Sequence, residues 1–180
     1  MIEVKNIKKV FGDKTIIEDV SSVMKAGQCN LIIGASGSGK TVLMKCMVGL
    51  FEPNEGEVLY SGESFTAMTG SDKTEIRKQI GMLFQGSALF DSQTVEQNVM
   101  FPLNMFTKDS YKEKLRRVNE VLERVNLVGA NKKFPSEVSG GMKKRVALAR
   151  AIVLNPKYLF CFVSNSGLDP QTSLVIYSLI

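Results

Sequence analysis

Apolar and polar residues alternate along 2–7 (IEVKNI) and through part of 15–24 (TIIEDVSSVM). A period of two predicts short, half-exposed antiparallel strands. The pattern then changes to a continuous apolar run at 29–33, read as a buried strand, followed by a helix-like run at 42–47. The turn cluster PNEGEV (53–58) leads into a strand at 58–60, closed by Ser61 and Gly62. A charged helix near 71–79 precedes a second buried strand at 80–84. Repeated strand–helix alternation predicts an α/β fold with a largely parallel sheet and antiparallel strands at its N-terminal end.

From Thr94 to Leu154 helical signals dominate. Ser110 followed by Glu113 has the form of a capping box. Behind it Leu115, Val118, Val121, Leu122 and Val125 fall on one helical face, opposite Lys, Arg and Glu. Gly129 is expected to end that helical region. A further helix begins after Ser139, Gly140 and Gly141 and stops at Asn155-Pro156. The organisation predicted is an α/β core of 1–90 and 151–180, with 91–150 inserted as a helical subdomain. The core resumes with a strand at 158–163.

Composition narrows the chemistry. The 180 residues suffice for one well-cored domain. Histidine is absent, which removes the usual general base and the commonest metal ligand. Cys29, Cys46 and Cys161 have no motif spacing and lie in apolar segments, so they read as buried free thiols. No stretch approaches the roughly 18–20 apolar residues of a membrane span, and the first residues lack a signal-peptide core. A cytoplasmic location is expected. The net charge of +5 is dispersed and reads as a solvated surface.

The densest chemical signal is GASGSGKT at 34–41, in which Gly34, Gly39, Lys40 and Thr41 fill the pattern G-x-x-x-x-G-K-[ST]. It lies between the predicted strand 29–33 and the predicted helix, the setting a phosphate-binding loop requires. Gly34, Gly37 and Gly39 free the backbone to turn, and the N–H groups of Gly34, Ala35, Ser36, Gly37, Ser38 and Gly39 can approach phosphate oxygens. Lys40 supplies a point charge and the Thr41 hydroxyl a Mg²⁺ ligand. A nucleoside triphosphate is the predicted ligand.

Residues 139–145 (SGGMKKR) offer a second anion site, a hydroxyl and two glycine amides at a helix start. An ordinary capped helix explains that segment alone equally well. With VALARAIVLNP, an apolar strand and then SGLDP at 166–170, the ordered series resembles the ABC transporter ATPases. The resemblance implies a P-loop ABC ATPase fold, with ATP and Mg²⁺ as cofactors. It implies a homodimer of nucleotide-binding subunits on integral-membrane permease subunits, peripheral on the inner face of the cell membrane. Phe11 then matches the aromatic that stacks on adenine, with a core aromatic as the competing reading. Gln85 matches the glutamine that reaches Mg²⁺, senses the γ-phosphate and contacts the membrane partner. Ser139, Gly140 and Gly141 match the segment that binds ATP held by the other protomer, and Asp169 matches an aspartate at the dimer seam. Within the family, 84–103 (FQGSALFDSQTVEQNVMFPL) resembles the Mla and Mce type, which move phospholipid or sterol between bacterial membranes. Amino-acid or lipoprotein transporters have similar motors.

The chain also departs from the family pattern. Counting back from Gly167, the two expected carboxylates fall on Phe162 and Val163, with Ser164 after them. Neither side chain can ligate a hard cation or polarise water. The apolar run at 172–180 ends without a polar cap and is expected to mark a truncated motor domain. Two explanations compete, a pseudo-ATPase that binds ATP without turnover and an altered segment of an ordinary ATPase. Either predicts slow hydrolysis by this chain. A DNA-associated ATPase of the same family is suggested only by the basic pI, and the long coiled coil it needs is missing; no nucleic-acid partner is expected.

Overall fold

A computed structural model describes residues 1–84 and 86–162. They fall into two compact units, Met1–Arg77 and one that begins at Lys78. Gln85, Val163, the 166–170 segment with Asp169 and the apolar run at 172–180 lie outside the described residues.

In the first unit β1 (Ile2–Phe11) and β2 (Lys14–Met24) form a hairpin, and β3 (Glu55–Tyr60) and β4 (Glu63–Ser64) complete an antiparallel sheet of order β2-β1-β3-β4. The alternation of β1 buries Ile2 and Val4, then shifts phase so that Ile7 is buried in turn. The shift has a visible cause. Asn6 adopts a left-handed backbone (φ 50°), bulging the strand where its pairing register slips. Opposite the bulge Gly56 stands at φ 84°, where a Cβ would sit 2.3 Å from the Asn6 carbonyl oxygen. Only glycine fits there.

Helix α1 (Lys40–Met47) buries Leu43, Cys46 and Met47. Its last turn is fastened to β3 by the buried Tyr60 hydroxyl, which donates to the Met47 carbonyl at 2.9 Å. Helix α2 (Gly70–Lys78) buries no residue; its Arg77 donates to the Gly49 carbonyl at 3.0 Å. One expectation fails here. The apolar run 29–33 is not a buried strand: it belongs to no sheet among the described residues, and Leu31 and Ile33 are 78% and 82% exposed. Apolar character records a preference for burial, and among the described residues no strand pairs with this run. Cys29 is exposed for the same reason, and Cys161 is half-buried. Cys46 alone is the buried free thiol expected of all three, with burial pushing its pKa above 9.0.

The second unit pairs β5 (Ile80–Phe84) with β6 (Tyr158–Phe162) in parallel, with Ile80 opposite Tyr158 and Phe84 opposite Phe162. Between them run α3 (Val95–Phe106), α4 (Tyr111–Arg124) and α5 (Gly140–Ile152). A parallel pair needs such a crossover. Val118, Val121, Leu122 and Val125 of the α4 stripe join Val95, Val99 and Leu103 of α3 and Val146 and Leu148 of α5 in one core. Helix α5 lies close over β5, because a Cβ on Gly81 would be 2.4 Å from the Ala151 carbonyl oxygen. Two caps differ from expectation. Ser110 accepts only the Glu113 N–H, while the reciprocal box forms at Thr94 and Gln97. Helix α4 stops at a left-handed Asn126 (φ 55°), ahead of Gly129. No helix among the described residues is long and apolar enough to cross a membrane.

Candidate nucleotide-binding site

The loop 34–39 is shaped by its own backbone. The Ser38 N–H donates to the Ala35 carbonyl at 3.2 Å, and Gly39, at φ 88°, turns the chain into α1. Gly39 has no side-chain freedom to spare, since a Cβ would meet the Ile16 carbonyl oxygen at 2.9 Å and Ile17 at 3.1 Å. The close approach also ties the loop to β2. No side chain caps the N-terminus of α1, so its first-turn N–H groups are left to an outside acceptor. Lys40 Nζ donates to the Gly34 and Ala35 carbonyls at 2.7 Å each, across the mouth of the loop. Thr41 is exposed in the first turn of α1.

These residues fit a phosphate chain. A glycine-walled loop, uncapped helix amides and one ammonium group converge there, and the helix dipole adds partial positive charge. For a hard cation Thr41 offers a hydroxyl oxygen beside the place a phosphate chain would take, and among the described residues there is no cluster of three His, Cys, Asp or Glu.

Phe11 ends β1, and its ring is 43% exposed, so it is not the core aromatic of the competing reading. It meets Phe51 edge-on at 5.2 Å, with Lys9 Nζ 5.0 Å from its centroid. Across the hairpin it pairs with Lys14, two residues before the Ile16 carbonyl that bounds Gly39. The fold therefore brings the Phe11 hairpin and the glycine loop to one end of β2.

In the second unit Ser139 caps α5, accepting the Met142 N–H at 3.2 Å, and Gly140 and Gly141 face open space. Arg145 is turned away to the Asn126 carbonyl at 2.9 Å. Phe162 is buried, 8% exposed, and stacks on Phe84. An apolar ring pair thus fills the register position at which the sequence comparison expected a carboxylate.

Four features escaped the sequence reading. Gly86, Ser87 and Ala88 form a left-handed run (φ 81°, 67° and 46°), in which each non-glycine residue costs on the order of 1 kcal/mol. Arg150 of α5 donates to the Ser87 carbonyl at 3.0 Å and lies 5.7 Å from the Phe90 ring centroid. Asn98, fully buried, accepts the Phe90 N–H at 2.8 Å and donates to the Phe90, Gln93 and Thr94 carbonyls. Nearby Glu96, 4% exposed, accepts from Tyr111, Asn131 and Lys132. Gly86 was the only local hint of any of these.

Comparison with known proteins accords with this geometry. The ABC transporter family model matches residues 17–161. The chain is 42% identical over 179 residues to the probable ribonucleotide transport ATP-binding protein mkl of Mycobacterium leprae, covering 99% of this chain and 52% of that protein. It is 45% identical over 186 residues to the methionine import ATP-binding protein MetN of Shigella flexneri serotype 5b, covering 100% and 53%. The chain thus spans about half the length of these curated relatives. Among solved structures it resembles the dimeric bacterial ABC transporter cassette MJ0796, with a TM-score of 0.88 and 31% identity over 99% of this chain and 81% of that one. It also resembles cbiO1 of Clostridium perfringens, part of the transporter complex cbiONQ, with a TM-score of 0.83 and 28% identity over 99% and 71%. The chain belongs to the ABC transporter family and has the α/β cassette fold of its ATP-binding members.

Proposed function

We propose that this chain is the ATP-binding motor subunit of an ABC transporter, gripping the triphosphate with Gly34–Thr41. The observation that carries the reading is the loop itself, with Lys40 poised on the Gly34 and Ala35 carbonyls before an uncapped α1. Phe11 is assigned to the adenine. Thr41 and Gln85 are assigned to Mg²⁺. Two copies would clamp ATP between one protomer's Lys40 loop and the Ser139–Gly141 segment of the other, with Asp169 at the seam. The dimeric form of the MJ0796 cassette supports that arrangement. Membrane permease subunits would receive the motion through the surface near Gln85, at the inner face of the cell membrane. The division into a core of 1–90 and 151–180 with an inserted 91–150 subdomain belongs to the same reading.

Phe162 favours a second reading of turnover. With Phe162 stacked on Phe84 and valine next in sequence, this chain binds ATP but hydrolyses it at least about 10³-fold more slowly than an intact relative. For cargo, the 84–103 segment supports a lipid, whereas the relatives named above are a ribonucleotide transporter and a methionine importer. Calorimetric titration with ATP and Mg²⁺, paired with steady-state phosphate release, tests the core of the proposal. Binding that Lys40→Ala weakens at least about tenfold is expected. Equal affinity in parent and variant would overturn it, and normal turnover would overturn the second reading alone.

A further inference from the structure

We propose that Arg150 is a positioning residue that joins helix α5 and the loop 86–90 into one mechanical body. The loop is held in a conformation its own residues disfavour, since Ser87 and Ala88 have positive φ without being glycine. Something outside the loop must stabilise it. Among the described residues its local backbone bonds are two, Ser87 N–H to the Phe84 carbonyl of β5 at 3.2 Å and Ala88 N–H to the Gly86 carbonyl at 2.8 Å. Both span too few residues to fix the run. The outside contacts are the Asn98 clamp on Phe90, the Phe90–Phe101 ring pair, the packing of Leu89 on the core and the Arg150 guanidinium on the Ser87 carbonyl. Arg150 fastens the strained residue itself, and its position over the Phe90 ring adds a second point of attachment. The hydrogen bond crosses 63 residues of sequence, so it is a tertiary tie and not a turn device. Burial that weakens the guanidinium's hold on its proton leaves it charged all the same, and a desolvated cation holds a carbonyl more firmly than an exposed one.

The other end of α5 is Ser139, eleven residues earlier and about 16 Å along the axis. A ligand engaged at the Ser139 end would therefore act on the loop that follows Gln85 through a rigid helix ending in this bond. That consequence rests on the ATP-binding reading; the bond's role in holding the loop does not.

The test uses amide hydrogen exchange on the full chain for the parent, R150A, R150K and the double variant R150A/S87G. R150A is expected to exchange at least about tenfold faster across 86–90, with 118–125 within about twofold of the parent. R150K keeps a donor and stays within about threefold, and S87G in the R150A background reduces the rise by relieving the strained φ. If R150A does not fold, R150M, which keeps the side chain's bulk without a donor, carries the same test, a rise confined to 86–90 being required. No rise, or one shared equally by 118–125, overturns the proposal. With ATP, 86–90 slows in the parent and not in R150A; unequal binding of ATP is excluded by calorimetry on both. A parent that binds no ATP refutes the proposed function and leaves the nucleotide-free result standing. A parent that binds ATP without slowing at 86–90 overturns the coupling.

Discussion

Phe84 and Phe162 stand directly opposite each other in the parallel pair β5–β6, with ring centroids 5.1 Å apart and planes 19° from parallel. The stack stabilises the end of the two strands and keeps polar chemistry out of that register position. Phe162→Asp would place a carboxylate against the Phe84 ring, with an expected stability loss of about 2–4 kcal/mol in urea unfolding. Phe162→Ala should lose about 3 kcal/mol by leaving a void. A Phe162→Asp change no more harmful than a surface substitution would contradict the stacked arrangement.

Activity should respond in the opposite direction. Phe162→Asp combined with Val163→Glu supplies both carboxylates of the family pattern, and ATP turnover should rise about 10³-fold. Phosphate release measured at saturating ATP decides it. An unchanged rate would count against the role proposed for Phe162 and Val163 in slowing turnover.

Lys40→Ala separates binding from folding. The side chain's two hydrogen bonds are exposed, so stability should change by less than about 1 kcal/mol. ATP affinity should fall at least tenfold, about 1.4 kcal/mol or more, through loss of a charge-assisted contact. Calorimetry on the folded variant reads this directly.

Gly39→Ala tests the loop's geometry. The substitution combines an unfavourable φ of 88° with a Cβ 2.9 Å from the Ile16 carbonyl oxygen, and the obstacle is backbone. A loss of about 1–3 kcal/mol in stability is expected together with weakened ATP binding. Gly37→Ala meets no neighbour within 4 Å and should be milder, costing only its φ of 79°. Equal effects at the two glycines would count against the contact with Ile16.

Glu96 makes stability pH-dependent. Burial raises its carboxyl pKa, but hydrogen bonds from Tyr111, Asn131 and Lys132, with the Lys132 charge, outweigh burial and leave it below 4.5. A carboxyl depressed in the folded state stabilises above its unfolded value, and that contribution disappears as pH falls through the folded value. Glu96→Gln should therefore lose about 1–3 kcal/mol near pH 7 and narrow its deficit against the parent below about pH 4. Urea midpoints at the two pH values check the sign; a deficit that widens in acid would reverse it.

What the sequence disclosed was local or periodic. The alternation along β1 and β2, the α4 stripe and the Ser139 cap each depend on residues within a few positions of one another, and their chemistry is visible without tertiary context. Leu31 and Ile33 show the limit of that reasoning: hydrophobicity records a preference for burial, and a five-residue run cannot state whether a pairing strand is there. Ser87 and Ala88 show another limit. Neither residue type advertises a left-handed backbone, and the guanidinium attached to that turn comes from 63 residues away. Asn98 looked like one polar position in a helical stretch, whereas its neighbours in space are the backbone of the preceding loop.

The Asn98 clamp has a practical consequence for labelling. Because a helix side chain dictates the path of the backbone from Phe90 to Thr94, the exposed Asp91 and Ser92 contribute little to that path themselves. With the exposed Cys29 replaced by serine, a fluorophore attached at Ser92→Cys would ride on a rigid mount beside the loop 86–90, and would report its displacement without itself being part of the joint.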